Sequence, residues 1–279
     1  MSLIFIVADS LRHDMLGCHG GPARTPVVDE LARSSVLFER VISAAPWTVP
    51  SLAAMLTGHY CHRLGLARWD QPWPATAPSL FSRARQSGYR VASFVFDPAY
   101  LFSRVPEASV QGSSQDTDAV IAWLRRHRRE HFVLFLHYWW THIPYLDTPM
   151  DSAAWRQGAE AVLQALAWGP RARQGVKRLY QRAVERLSEA WLPRILHAAD
   201  LDSTWLLLTA DHGESWAERP GCPTPTGVFD LHGNSLFEEV LRVPLLLRTP
   251  GGGAPRKIPQ LTRTVDILLP RKTRPPPAT

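Results

Sequence analysis

Leu3-Ile4-Phe5-Ile6-Val7-Ala8-Asp9 is an unbroken apolar run closed by a carboxylate. Alternation would mark a strand with one wet face, whereas continuity marks a strand buried on both faces of a parallel sheet. Similar runs predict strands at Arg90 to Phe96, Phe132 to His137, Trp205 to Thr209 and Val243 to Arg248. Between them, helical spacing is read at Val27 to Ser34, Pro50 to Leu56, Leu80 to Ser87, Thr117 to Arg128 and Arg178 to Ala198. Strands alternating with helices predict an α/β fold, a mostly parallel central sheet flanked by helices on both faces. Ligands of such a sheet gather at the carboxyl ends of its strands.

The 279 residues, 45% hydrophobic and 20% charged, suffice for one large domain with a sizeable core. A catalytic domain is expected over residues 1–269, with residues 150–177 as a helical insertion, either a lid or a surface helix. Residues 270–279 read as a disordered basic tail, because Pro275-Pro276-Pro277 and its neighbours cannot build a packed core. The net charge of +6 comes from scattered arginines. It predicts a field that favours small anionic substrates, with no nucleic-acid partner. Cys18, Cys61 and Cys222 are too few and too irregularly spaced for a disulfide framework or a zinc ribbon. Leu3 to Ala8 is too short to span a bilayer, so the expectation is a cytoplasmic chain without a membrane segment.

Acidic and imidazole side chains just past buried strands mark the candidate site. Asp9 closes the first run, and Asp211 and His212 close the run Leu206-Leu-Leu-Thr-Ala-Asp-His-Gly-Glu214. Carboxylates and an imidazole delivered from two strand ends suit a divalent cation. Taken singly, Asp9 could instead cap a helix and Asp211 start a turn. Thr48 lies in Ala45-Pro-Trp-Thr-Val-Pro-Ser-Leu52, and Pro50 suits the first turn of a helix. Two readings of Thr48 stay open here, a helix cap and a nucleophile beside a metal and free amides. His142, past the strand at Phe132, and His232, beside Gly233, could bind the anion, protonate a leaving group or ligate a second metal. His137, inside that strand, reads as structural.

In order and spacing these blocks resemble the sulfatase family of the alkaline phosphatase superfamily. Ile4 to Gly20 is similar to the family's first strand and metal-binding turn, Thr25 to Ala32 to the helix after it, and Ala45 to Gly58 to its nucleophile helix. Ala210 to Glu214 resembles the second metal block, Tyr180 to Leu196 the helix before it, and His232 to Pro244 the block after it. The resemblance implies an alkaline-phosphatase-like core and one divalent metal ion (Ca, Mg, Mn or Zn) on Asp9, Asp211 and His212. It also implies nucleophilic attack by Thr48 on sulfur or phosphorus, which settles its two readings, and substrate contacts from His142 and His232. The covalent intermediate is hydrolysed by water or passed to an acceptor.

Three departures bear on the chemistry. Family sulfatases carry Cys or Ser at the position of Thr48 and oxidise it to formylglycine. Thr cannot form that aldehyde, so formylglycine is not expected and phosphoester chemistry is favoured. The family's arginine after the Pro-Ser pair is Leu52 here, and Trp140 stands where two-metal relatives carry Asp. The chain also runs into its basic tail where relatives add a small C-terminal subdomain. These departures frame the rival reading, a catalytically inactive family member that binds an anionic ligand or partner.

Overall fold

The computed structural model describes residues 1–66, 78–96, 102, 105–148, 152–216, 218 and 231–268. Cys222 and the tail 270–279 lie outside them. The strands are β1 (Ser2–Ala8), β2 (Val36–Ile42), β3 (Arg90–Phe94), β4 (Val110–Gly112), β5 (Phe132–Tyr138), β6 (Thr204–Ala210), β7 (Arg242–Arg248) and β8 (Arg256–Arg263). They form one sheet in the order β4-β3-β5-β1-β6-β7-β2-β8. β1 pairs in parallel with β5 (Val7 opposite His137) and with β6 (Ala8 opposite Ala210). Only β7 runs against its neighbours, antiparallel to both β6 and β2. The mostly parallel α/β sheet expected from the sequence is therefore the observed one.

Central position explains the unbroken apolar runs. Ile4, Phe5, Ile6, Val7 and Ala8 are at most 1% exposed, as a strand covered on both faces requires. Fully burying such a side chain stabilises the fold by roughly 1.5–3 kcal/mol before the entropy of ordering is subtracted. Because β1, β5 and β6 are parallel and in register, their carboxyl ends open at one edge, where Asp9, His137 and Asp211 emerge.

Two helices frame that edge. Helix α1 (Pro26–Arg33) follows the first turn. Helix α2 (Thr48–Thr57) is buried at all ten positions and ends on Gly58, whose φ of 73° supplies the left-handed cap. A helix apolar on every side belongs in a core, and this one carries Thr48 into the interior.

The sequence read residues 150–177 as one insertion and Arg178 to Ala198 as one helix. The structure has two antiparallel neighbours, Ala153–Trp168 and Pro170–Arg186, broken at Gly169 and Pro170. The second runs through a π turn at Leu187–Trp191 into Leu192–Ala198. The π turn aims Ser188 Oγ at the backbone N–H groups of Val27 (3.1 Å) and Val28 (3.2 Å), satisfying the start of α1.

Candidate active site

Asp9 follows β1, Asp211 follows β6 and His137 is the penultimate residue of β5. All three are fully buried, and one ligand atom from each lies within 4.8 Å of the others. His137 Nε2 stands 3.2 Å from Asp9 Oδ2 and 4.0 Å from Asp211 Oδ2. Neither ring nitrogen of His137, nor Asp211 Oδ2, has a hydrogen-bond partner among the described residues. Buried polar atoms are normally satisfied, so unpartnered His137 Nε2 and Asp211 Oδ2, converging with Asp9 Oδ2, fit a group that accepts electron pairs, such as a metal ion.

The electrostatics agree. Burial opposes charge on His137, but Asp211 and Asp9 outweigh it and push its pKa up to about 9. Burial raises the Asp9 carboxyl, yet His142, His137 and His212 together hold it far below its ordinary range. Two carboxylates at one buried point demand positive charge.

His137 was read as a structural strand residue, and its imidazole lies beside the Asp9 and Asp211 carboxylates. Strand alternation sends its imidazole to the carboxylates, not into the apolar core. Position inside a strand concealed that it is next to the strand's carboxyl end.

Asp9, Asp211, His212 and Thr48 come together as the sequence blocks implied. His212 Nδ1 donates to Gly213 O (2.8 Å), leaving Nε2 to face the site, 3.5 Å from Asp211 Oδ2 and 3.9 Å from Asp9 Oδ1. Thr48 Oγ1 lies 3.3 Å from Asp9 Oδ2 and 3.3 Å from His212 Nε2. Among the described residues no side chain caps α2, which leaves its first amides open to an anion.

Local bonding fixes these positions. The Asp211 carbonyl accepts from Ser51 Oγ (2.6 Å) on α2 and from Ser43 Oγ just past β2. Its Oδ1 accepts from Ser10 N (3.1 Å), while Ser10 Oγ donates to Asp9 Oδ1 (2.8 Å). Ser10 adopts a φ of 57°, a left-handed conformation that a non-glycine residue adopts at a cost. Tyr180 OH donates to Ser10 O (2.7 Å) and accepts from Arg12 N (2.8 Å), holding that turn in place. Gly213 is required by close approach, because a Cβ there would collide with the Glu239 carbonyl.

His142 and His232 join the site from loops, with ring centroids 4.9 Å apart and His232 4.5 Å from His212. His142 Nδ1 donates to Ile143 O (2.8 Å), and its ring stacks on Trp139 at 3.8 Å. Burial lowers its pKa to about 4 despite Asp9. His232 Nδ1 donates to Glu214 Oε1 (2.9 Å), and that carboxylate overcomes burial to push His232 up to about 9. Glu214 Oε2 accepts from Tyr145 OH (2.9 Å), which accepts from Trp216 Nε1 (3.2 Å). The sequence gives Glu214 and Tyr145 no stated role; Glu214 sits two residues past His212, the one signal that pointed to it.

At the two departures, Leu52 is only 1% exposed and brings no cation, and Trp140 packs edge-on to Tyr138 (5.3 Å). No helix among the described residues is long and apolar enough to cross a membrane.

Known proteins share this fold. The solved phosphonate monoester hydrolase of Agrobacterium radiobacter superposes with a TM-score of 0.71 at 20% identity, covering 95% of this chain and 72% of that one. The uncharacterized sulfatase YidJ of Escherichia coli (strain K12) is 21% identical over 96% of this chain and 66% of its own length. Mouse steryl-sulfatase is 45% identical over 67 residues, 24% of this chain and only 11% of that protein's length. The family profile described as Sulfatase matches residues 2–269, so the chain belongs to the sulfatase family.

Proposed function

We propose that this chain is a metal-dependent hydrolase that cleaves a sulfuric or phosphoric ester of a small anionic substrate through Thr48, with phosphoesters favoured. The observation that carries the reading is the Thr48 hydroxyl, poised 3.3 Å from Asp9 Oδ2 and from His212 Nε2 beside a buried set of unpartnered ligand atoms. Asp9, Asp211 and His212, joined by His137, would hold one divalent ion of the Ca, Mg, Mn or Zn group. When bound, the ion supplies Lewis-acid polarisation of the ester oxygen.

The remaining work belongs to the chain's own side chains. Thr48 Oγ1 gives up its proton to solvent water and forms a bond to phosphorus or sulfur as the bond to the leaving oxygen breaks. The free amides at the start of α2 receive the non-bridging oxygens. His142 and His232 divide the proton traffic. His142 has committed its Nδ1 proton to Ile143 O, so Nε2 is the acceptor suited to take a proton from the water that cleaves the covalent intermediate. His232 faces a carboxylate on Nδ1, which favours the imidazolium and lets Nε2 give a proton to the leaving oxygen. The absence of a side chain that forms formylglycine at position 48, together with a fold like that of a phosphonate monoester hydrolase, supports phosphorus chemistry.

Purified protein is assayed on aryl sulfate, phosphate monoester and phosphodiester probes, with and without chelator. The expected outcome is chelator-sensitive turnover that falls by about 10³-fold or more in Thr48→Ala. Equal activity in that variant removes Thr48 from the mechanism. Inert probes with no bound metal would favour the catalytically inactive reading, for which Leu52 in place of the family's arginine is the supporting observation.

A further inference from the structure

Glu214 is a fully buried carboxylate whose two oxygens are both committed, Oε1 to His232 Nδ1 (2.9 Å) and Oε2 to Tyr145 OH (2.9 Å). Behind it, Tyr145 OH accepts from Trp216 Nε1 (3.2 Å), and Trp216 lies under the Arg12 guanidinium, 4.5 Å from ring centre to Cζ. Tyr145 is itself held at a φ of 66°, which a non-glycine residue adopts only when its surroundings force it. Its carbonyl accepts from Arg186 (2.6 Å), and its N–H donates to His142 O (2.7 Å). One loop therefore fixes His142 at one end and the hydroxyl that orients Glu214 at the other.

The open end of this chain of bonds is His232. With Nδ1 bonded to Glu214, Nε2 is its remaining ring nitrogen, and the ring is wedged between those of His212 and His142. Gly233, at a φ of 91°, donates to Pro46 O (2.8 Å), tying the His232 loop to the segment that leads into α2 and Thr48.

We propose that Glu214, Tyr145 and Trp216 are positioning residues that hold His232 with Nε2 directed at the leaving oxygen of the ester. The inference rests on the function proposed above. As the bond from phosphorus or sulfur to the leaving oxygen breaks and that oxygen takes the bonding electrons, the proton on His232 Nε2 passes to it. His232 keeps its Nδ1 proton, hydrogen-bonded to Glu214, throughout, so the imidazole ends neutral. A buried carboxylate serving packing alone would slow every substrate by the same factor when altered. A positioning carboxylate matters most where the leaving group needs a proton most.

The test is a series of aryl phosphate and aryl sulfate esters whose leaving groups run from nitrophenol to unsubstituted phenol, compared for the native chain, Glu214→Gln, Glu214→Asp, Tyr145→Phe and His232→Gln. General acid assistance contributes on the order of 10²–10⁴-fold where it is needed. Glu214→Gln is expected to lose about tenfold on nitrophenyl esters and about 10²-fold or more on phenyl esters. Tyr145→Phe should show the same trend more weakly, Glu214→Asp should recover part of it, and the double variant Glu214→Gln/His232→Gln should be no slower than His232→Gln alone. An equal loss across leaving groups, or losses that multiply in the double variant, overturns the proposal. Nitrogen-15 spectra of the His232 ring test the geometry without turnover. A hydrogen-bonded proton on Nδ1 in the native chain, altered in Glu214→Gln, is expected, and identical ring signals in both overturn it. If the ring signals change as expected while every ester stays inert, the bonding chain stands and the hydrolase reading falls.

Discussion

His137 shows how one side chain changes what a site can hold. Asp9 and Asp211 alone are two buried like charges, and the imidazole between them turns a repulsive pair into a three-donor cage. Asp211→Asn should lower the affinity for divalent ions by about 100-fold or more, and His137→Gln by about tenfold or more, measured by metal content after dialysis. Unchanged metal content in both would disconnect the cluster from metal binding. Leu52 makes the opposite point. Restoring the family's arginine with Leu52→Arg would insert an unpaired cation at a position 1% exposed, so the expected result is destabilisation by about 3 kcal/mol or more, read by denaturant unfolding, and no gain in activity. At this scale the sequence exposed Asp9, Asp211 and His212 because they close apolar runs, and Thr48 because it lies in the block that resembles the family's nucleophile helix. It hid His137, Glu214 and Tyr145 because their roles come from what three separate loops and strands bring near them.

Elements with one dominant environment were the legible ones. β1, β5 and β6 read clearly because both faces are buried. β2, with Glu39 and Arg40 interrupting its apolar pattern, and β8, an edge strand that includes Lys257 and Pro259, did not, since sheet pairing and not hydrophobicity makes them strands. The helix Pro170–Arg186 carries more than its amphipathic pattern announces, because its Tyr180 bridges Ser10 O and Arg12 N in the turn beside Asp9. Tyr180→Phe leaves both backbone groups buried without that partner. The expected cost is about 1–3 kcal/mol of stability, seen in urea unfolding, together with weaker metal retention. A variant with native stability and native metal content would show that the bridge does not hold the turn.

Across the whole molecule, five histidines, His137 fully buried and the other four partly so, set opposing pH limits. Burial, with Arg242 adding to it, takes His13 and His19 down from 6.5 to about 4, and burial takes His142 to the same value. Each binds its proton more readily when unfolded, so their stability is intact above pH 6.5 and is lost as pH falls from 6.5 toward 4. Opposed by burial but outweighed by their carboxylates, His137 and His232 are raised to about 9. Their contribution is present below pH 6.5 and is lost as pH rises toward 9. In chelator, the melting temperature is therefore expected to peak near pH 6.5 and fall on both sides, with His13→Gln/His19→Gln flattening the acid limb. A profile flat from about pH 5 to about pH 9 would contradict these assignments. The measurement that bears most directly on the central claim is rapid-quench peptide mapping of the native chain during turnover of a phosphate or sulfate ester. The account predicts a phosphoryl or sulfuryl group on the Thr48 hydroxyl. The same group found on another side chain, or turnover with Thr48 never modified, would contradict it.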